Sequence, residues 1–127
     1  MVDALTRIHA ALVPGGLLVD TQPVSARMPV ALGGVAIGEL DDEEWLEIVA
    51  AVDAEIEKTF GAGRLFELRH EERYDVVHEF GSGDECLEVV GKWAGTRVPA
   101  EVAARLEHGS AGATVEHEVR LRLLVRQ

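Results

Sequence analysis

Two long runs of strict two-residue alternation constrain this chain more than any other feature. From Val115 to Val125, Val115, Val119, Leu121, Leu123 and Val125 fall on one side while Glu116, Glu118, Arg120 and Arg122 fall on the other. From Leu65 to Phe80, Phe66, Leu68, Tyr74, Val76 and Phe80 alternate in the same way with Glu67, Arg69, Glu71, Arg73 and Asp75. A period of two places successive side chains on opposite faces of a strand, so both runs are predicted strands with one charged side. They are expected to pair antiparallel, with Arg69 or Arg73 opposite Glu116 or Glu118.

The segments around them carry helical spacing. Leu5, Ile8, Ala11 and Leu12 recur at three and four, with Asp3 as a candidate cap and Pro14 as the stop. Gly15 and Gly16 turn the chain into Leu17-Leu18-Val19, a continuous apolar run expected to be a strand covered on both faces and to end between Asp20 and Pro23. Residues 24–38, entered after Pro23, hold Pro29 and then Gly33, Gly34 and Gly38 without a sustained period, and read as a connecting loop. Trp45, Ile48, Val49, Val52 and Ile56 restore helical spacing behind the acidic start Asp41 to Glu44, and Gly61 and Gly63 end that helix. A helix opened by Ser82 or Asp84 is predicted to run through Leu87, Val89, Val90 and Trp93, and a further one to start at Pro99 and run through Leu106.

At 127 residues the chain is expected to be a single domain. Its 12 Lys and Arg against 23 Asp and Glu give a formal charge of -11, a field that repels phosphate; neither nucleic acid nor a membrane is an expected partner. Cys86 is the one cysteine, which excludes an intramolecular disulfide and a cysteine-based zinc site. The start, MVDALTRIHAAL, lacks the basic and apolar blocks of a secretion signal and no stretch is long enough to span a bilayer, so a cytoplasmic location is expected.

The segment Leu5-Thr-Arg-Ile-His-Ala-Ala-Leu-Val-Pro-Gly-Gly-Leu-Leu-Val-Asp20 resembles the helix, Pro-Gly-Gly turn and fifth strand of class I S-adenosylmethionine-dependent methyltransferases. Arg73 to Phe80, Ser82 to Leu87 and Lys92-Trp93 resemble that family's sixth strand and following helix, and the closing run resembles its seventh strand. The resemblance implies an α/β fold, a partial Rossmann-like methyltransferase fold with a small mixed sheet and helices packed on it, ordered first, third, second strand, with 24–60 as a loop and helical insertion. It covers only the C-terminal half of that family. The glycine-rich turn after the first strand and the acidic residue ending the second, which hold the cofactor there, would precede this sequence.

The resemblance therefore implies a methyltransferase-like protein without its own S-adenosylmethionine-binding motif: a non-catalytic or partner-dependent oligomeric module, with no cofactor bound by the isolated chain. The alternative is the substrate-facing half of an active enzyme, with S-adenosylmethionine bound only in an assembly; a remnant without activity is a third reading. In the parent fold the first strand is internal, so Leu17, Leu18 and Val19 are the expected oligomer edge, covered by a second copy in a homodimer or by a separate chain along Leu17 to Asp20.

No catalytic, cofactor-binding or metal-binding residue is assigned. Trp45, Trp93 and His70 are the candidate lining of a cavity for an apolar small molecule between the insertion helix and the sheet. His70 and His78 stand too far apart along one strand to share a metal, whereas His117 is a candidate neighbour of either. A boundary or core histidine is the plainer reading. Cys86 is expected to be buried filler. Asp41 to Glu44 are expected to be a solvated first turn, because consecutive helical positions diverge. Gly33 to Gly38 are read as a loop and not as a ligand cradle.

Overall fold

The computed structural model describes residues 2–61 and 63–127, the side chains of residues 2 and 3 apart, so the expected cap at Asp3 lies outside the described residues. In chain order the elements are α1 (Val2–Ala11), β1 (Leu17–Pro23), β2 (Arg27–Leu32), β3 (Val35–Asp41), α2 (Glu43–Glu57), β4 (Phe66–Phe80), α3 (Gly83–Val90), α4 (Ala100–Leu106) and β5 (Ala113–Arg126).

β5 is the spine of a five-stranded sheet. Along one edge it pairs with β4 over its whole length; along the other it pairs first with β2, through Ala113 to Val115, and then with β1, through Val119 to Val125. β3 lies outside β2. Every named pairing is antiparallel, so the sheet is not the mixed one expected, although β1, β5 and β4 do lie in the expected order.

The segment expected to be a loop is a hairpin. Gly33 and Gly34, with φ of 59° and 81°, supply the left-handed backbone of a tight turn, and β2 and β3 run back from it, past a register shift between Ala31 and Val30, to Arg27 opposite Asp41. Pro29, which has no N–H to give a ladder, precedes the part of β2 that reaches β5.

The sheet separates two cores. On one face Leu5, Ile56, Phe66 and Leu124 are buried, with Leu18 and Val52 packed against them, under α1 and the later turns of α2. On the other Met28, Val30, Leu40, Cys86, Val90, Val102, Leu106 and Val115 are buried under α3 and α4. β4 serves both because it carries a bulge between Leu68 and His70. The extra residue, Arg69, shifts the alternation, so Phe66 enters the first core and Phe80 packs on the second instead of sharing one face.

The charged side of β5 is covered along its second half, while Glu116 is exposed. Arg120 and Arg122 are buried, held by Asp53 of α2 and Asp20 of β1: Asp53 Oδ1 accepts from Arg120 Nη2 at 2.7 Å and from Arg122 Nη2 at 3.0 Å, while Asp20 Oδ2 accepts from Arg122 Nε at 3.1 Å and Nη2 at 2.9 Å. Arg73 does pair with Glu118, at 3.0 Å, whereas Arg69 pairs with Glu67 of its own strand, at 3.6 Å. β1 is covered on one face, not two. Leu18 turns inward, whereas Leu17 and Val19 are 58% and 53% exposed on the outermost strand.

α3 begins where Ser82 Oγ accepts from Glu85 N–H at 3.1 Å and Glu85 returns a carboxylate oxygen to Gly81 N–H at 2.8 Å, a reciprocal cap. The helix stops at Val90, so Trp93 belongs to the turn after it. Among the described residues no helix is long and apolar enough to cross a membrane.

Candidate functional site

A cavity of about 450 Å³ opens between the start of α2, the paired strands β4 and β5, and the turn after α3. Its walls are largely apolar: Trp45, Trp93, Phe80, Met28, Val89 and Pro23. The polar groups are few, namely His78 of β4, His117 of β5, Asp42 at the start of α2 and Thr96. This combination of apolar surface with a small number of fixed polar groups is the usual composition of a small-molecule site.

Backbone pairing fixes the wall contributed by the turn. Asp41 and Arg97 exchange N–H···O bonds of 2.9 and 2.7 Å, which ties residues 93–97 to the end of β3. That tether delivers the Thr96 hydroxyl to Asp42 Oδ1 at 2.7 Å and lays Gly95 against Trp45, where a Cβ would stand 3.0 Å from the Trp45 backbone. The indole N–H of Trp45 is buried without a partner among the described residues.

The two histidines arrive through β-sheet register. Val76 stands opposite His117 and His78 opposite Val115, which puts both imidazoles on the face beneath α3 as diagonal neighbours. Their Nε2 atoms are 3.0 Å apart, close enough to share one proton, and the His78 ring lies 5.0 Å from that of Trp93. Burial, and then the neighbouring His78, hold His117 below its ordinary pKa, so its imidazole favours the neutral form.

Asp42 is the surprise among the acidic residues at the start of α2. It is 3% exposed, and burial lifts its carboxyl above the ordinary range; the Thr96 hydroxyl opposes that shift and Asp41 adds to it. Asp41 is held low, chiefly by the Glu43 backbone N–H it accepts and then by Arg27 and Arg97. Only Glu43 and Glu44 are the exposed first-turn carboxylates expected of the whole run.

Of the three residues expected to line a cavity, Trp45 and Trp93 do so; His70 does not. It sits beside the β4 bulge, exposed, with Nε2 3.1 Å from Glu72. His78 takes its place because the strand register, invisible in the sequence, matches it with His117. Cys86 is fully buried in the core under α3, where burial and then Glu85 push its thiol up.

S-adenosylmethionine, the cofactor the resemblance implies, does not fit the residues present. Gly33 and Gly34 turn a hairpin and Gly38 lies within β3, so none of them opens a helix after a strand; Gly81-Ser82-Gly83 does join β4 to α3, but the Gly81 N–H is taken by the Glu85 carboxylate and the Gly83 N–H by the Gly109 carbonyl. Asp20, the acid on β1, is already held by Arg122. Among the described residues no group of three or more His, Cys, Asp or Glu side chains is arranged to hold a metal ion. No protein-family model matches the sequence, and no curated protein matches it.

Proposed function

We propose that this chain is a methyltransferase-derived binding module that does not itself transfer methyl groups, and that its cavity holds a small, largely apolar molecule. The order β1, β5, β4 behind a Pro14-Gly15-Gly16 turn supports the ancestry. The observation that carries the binding role is the cavity itself, walled by Trp45 and Trp93 where the 24–60 insertion meets the sheet. Its two tryptophans make it directly measurable. Titrating small aromatic and aliphatic compounds should change indole fluorescence saturably in the micromolar range, and Trp93→Ala should abolish the tighter responses. Calorimetry with S-adenosylmethionine and S-adenosylhomocysteine should give no heat. Saturable cofactor binding by the chain alone would overturn the non-catalytic reading; indifference of every compound to Trp93→Ala would overturn the cavity reading.

A second reading rests on β1. Its outer edge is unpaired within the described chain and it presents Leu17 and Val19 to solvent, the signature of a strand that pairs with another chain. In that reading a second copy or a separate chain covers Leu17 to Asp20, and any cofactor site belongs to the assembly. A compact monomer at micromolar concentration would rule out the self-paired form.

A further inference from the structure

Two imidazole nitrogens facing one another in an open cavity can hold more than a proton. With metal–nitrogen bonds of about 2.0–2.1 Å, the observed Nε2–Nε2 separation of 3.0 Å would subtend roughly 95° at a shared ion. That is the cis angle of a tetragonal or square-planar centre, the geometry of Cu(II) and Ni(II). A tetrahedral ion would ask for nitrogens about 3.3–3.4 Å apart, a displacement of a few tenths of an ångström. We infer that His78 and His117 form a two-histidine site for a divalent transition-metal ion, bound through both Nε2 atoms with its remaining positions open to the cavity.

Charge points the same way. The chain carries a formal charge of -11, which attracts a cation and repels an anionic ligand head. Asp42 lines the same cavity, where its Oδ1 accepts from the Thr96 hydroxyl. Water or a donor atom of the cavity's occupant would fill the open positions. Metal binding needs both Nε2 lone pairs, so a proton carried on either Nε2 moves to Nδ1 of the same ring or is released. Both strands are fixed by the β4–β5 ladder, so the ligands are set by register and not by a loop. The site does not depend on the proposed apolar ligand; either can fail while the other stands.

The test is a titration of the full chain with Cu2+ alone. One equivalent should quench tryptophan fluorescence, since His78 stands 5.0 Å from Trp93, and should give an axial paramagnetic spectrum with nitrogen hyperfine structure. His117→Phe, which keeps a ring and removes the nitrogen, should weaken binding at least about tenfold, while His70→Ala should leave the quenching and the affinity of this site unchanged. Zn2+ added to the unaltered protein should shift the imidazole resonances of His78 and His117, a readout that needs no variant to fold. Wild-type affinity and quenching in a folded His117→Phe protein, zinc shifts confined to other histidines, or no saturable binding would overturn the inference.

Discussion

Burial keeps the Asp42 carboxyl above its ordinary value of 3.8, and that has a direct consequence for stability. The folded state holds the proton more tightly than the unfolded chain, so between the two pKa values it binds more protons. Stability therefore falls as pH rises from about 3.8 through the folded value, then stays level. Asp42→Asn keeps an acceptor for Thr96 and removes the charge. Urea midpoints should show the variant more stable than the parent at pH 7, with the gain shrinking toward pH 4; a less stable variant at pH 7 would mean that the charged Thr96 bond outweighs desolvation. Asp53 is half-buried, and its Oδ1 accepts from two buried arginines. Asp53→Ala leaves buried Arg120 with the more distant Glu71, 3.7 Å from its Nε, and should cost about 3 kcal/mol in the same measurement.

At the scale of elements, the two long strands were legible because alternation is a local signal, and so were α2 and the start of α4 after Pro99. The β2–β3 hairpin was not, because Pro29 and Gly38 interrupt its two short arms and nothing in the local pattern shows that Gly33-Gly34 is a tight turn. The same limit explains the site. Trp45 and Trp93 were readable as large aromatics near the insertion, whereas the choice of His78 over His70 depends on the Arg69 bulge and on cross-strand register, which are tertiary facts. The burial of Arg120 and Arg122 was not legible because alternation marks a charged face without saying what covers it. One contact between elements was equally hidden: Gly83 lets α3 approach the end of α4 so closely that a Cβ would lie 2.2 Å from the Leu106 carbonyl oxygen. Gly83→Ala should therefore destabilise by at least about 2 kcal/mol, seen as a lower melting temperature, even though alanine is the better helix former.

For the molecule as a whole, the uneven covering of the sheet matters most. α3 and α4 cover the Ala113 and Val115 end of one face, while Leu17 and Val19 remain exposed beside Val125 and Leu123 at the other end of that face. If β1 is an edge shared with a second copy, Val19→Lys should convert the assembly to monomers in light scattering while leaving the circular dichroism spectrum intact, since charged edge residues block strand pairing without disturbing the inner core. Unchanged mass would leave β1 as a free edge.

β5 comes last among the described elements, yet β1, β2 and β4 meet only through it. Until those fourteen residues are in place, the β2–β3 hairpin is the only named strand pair that can form, and an isolated hairpin is marginal in water. Acquisition of the native state is thus a late, long-range event. Closing the sheet joins residues from opposite ends of the sequence, which places this molecule among slowly folding topologies and leaves the partly made chain dependent on whatever shields its apolar strands in the interval.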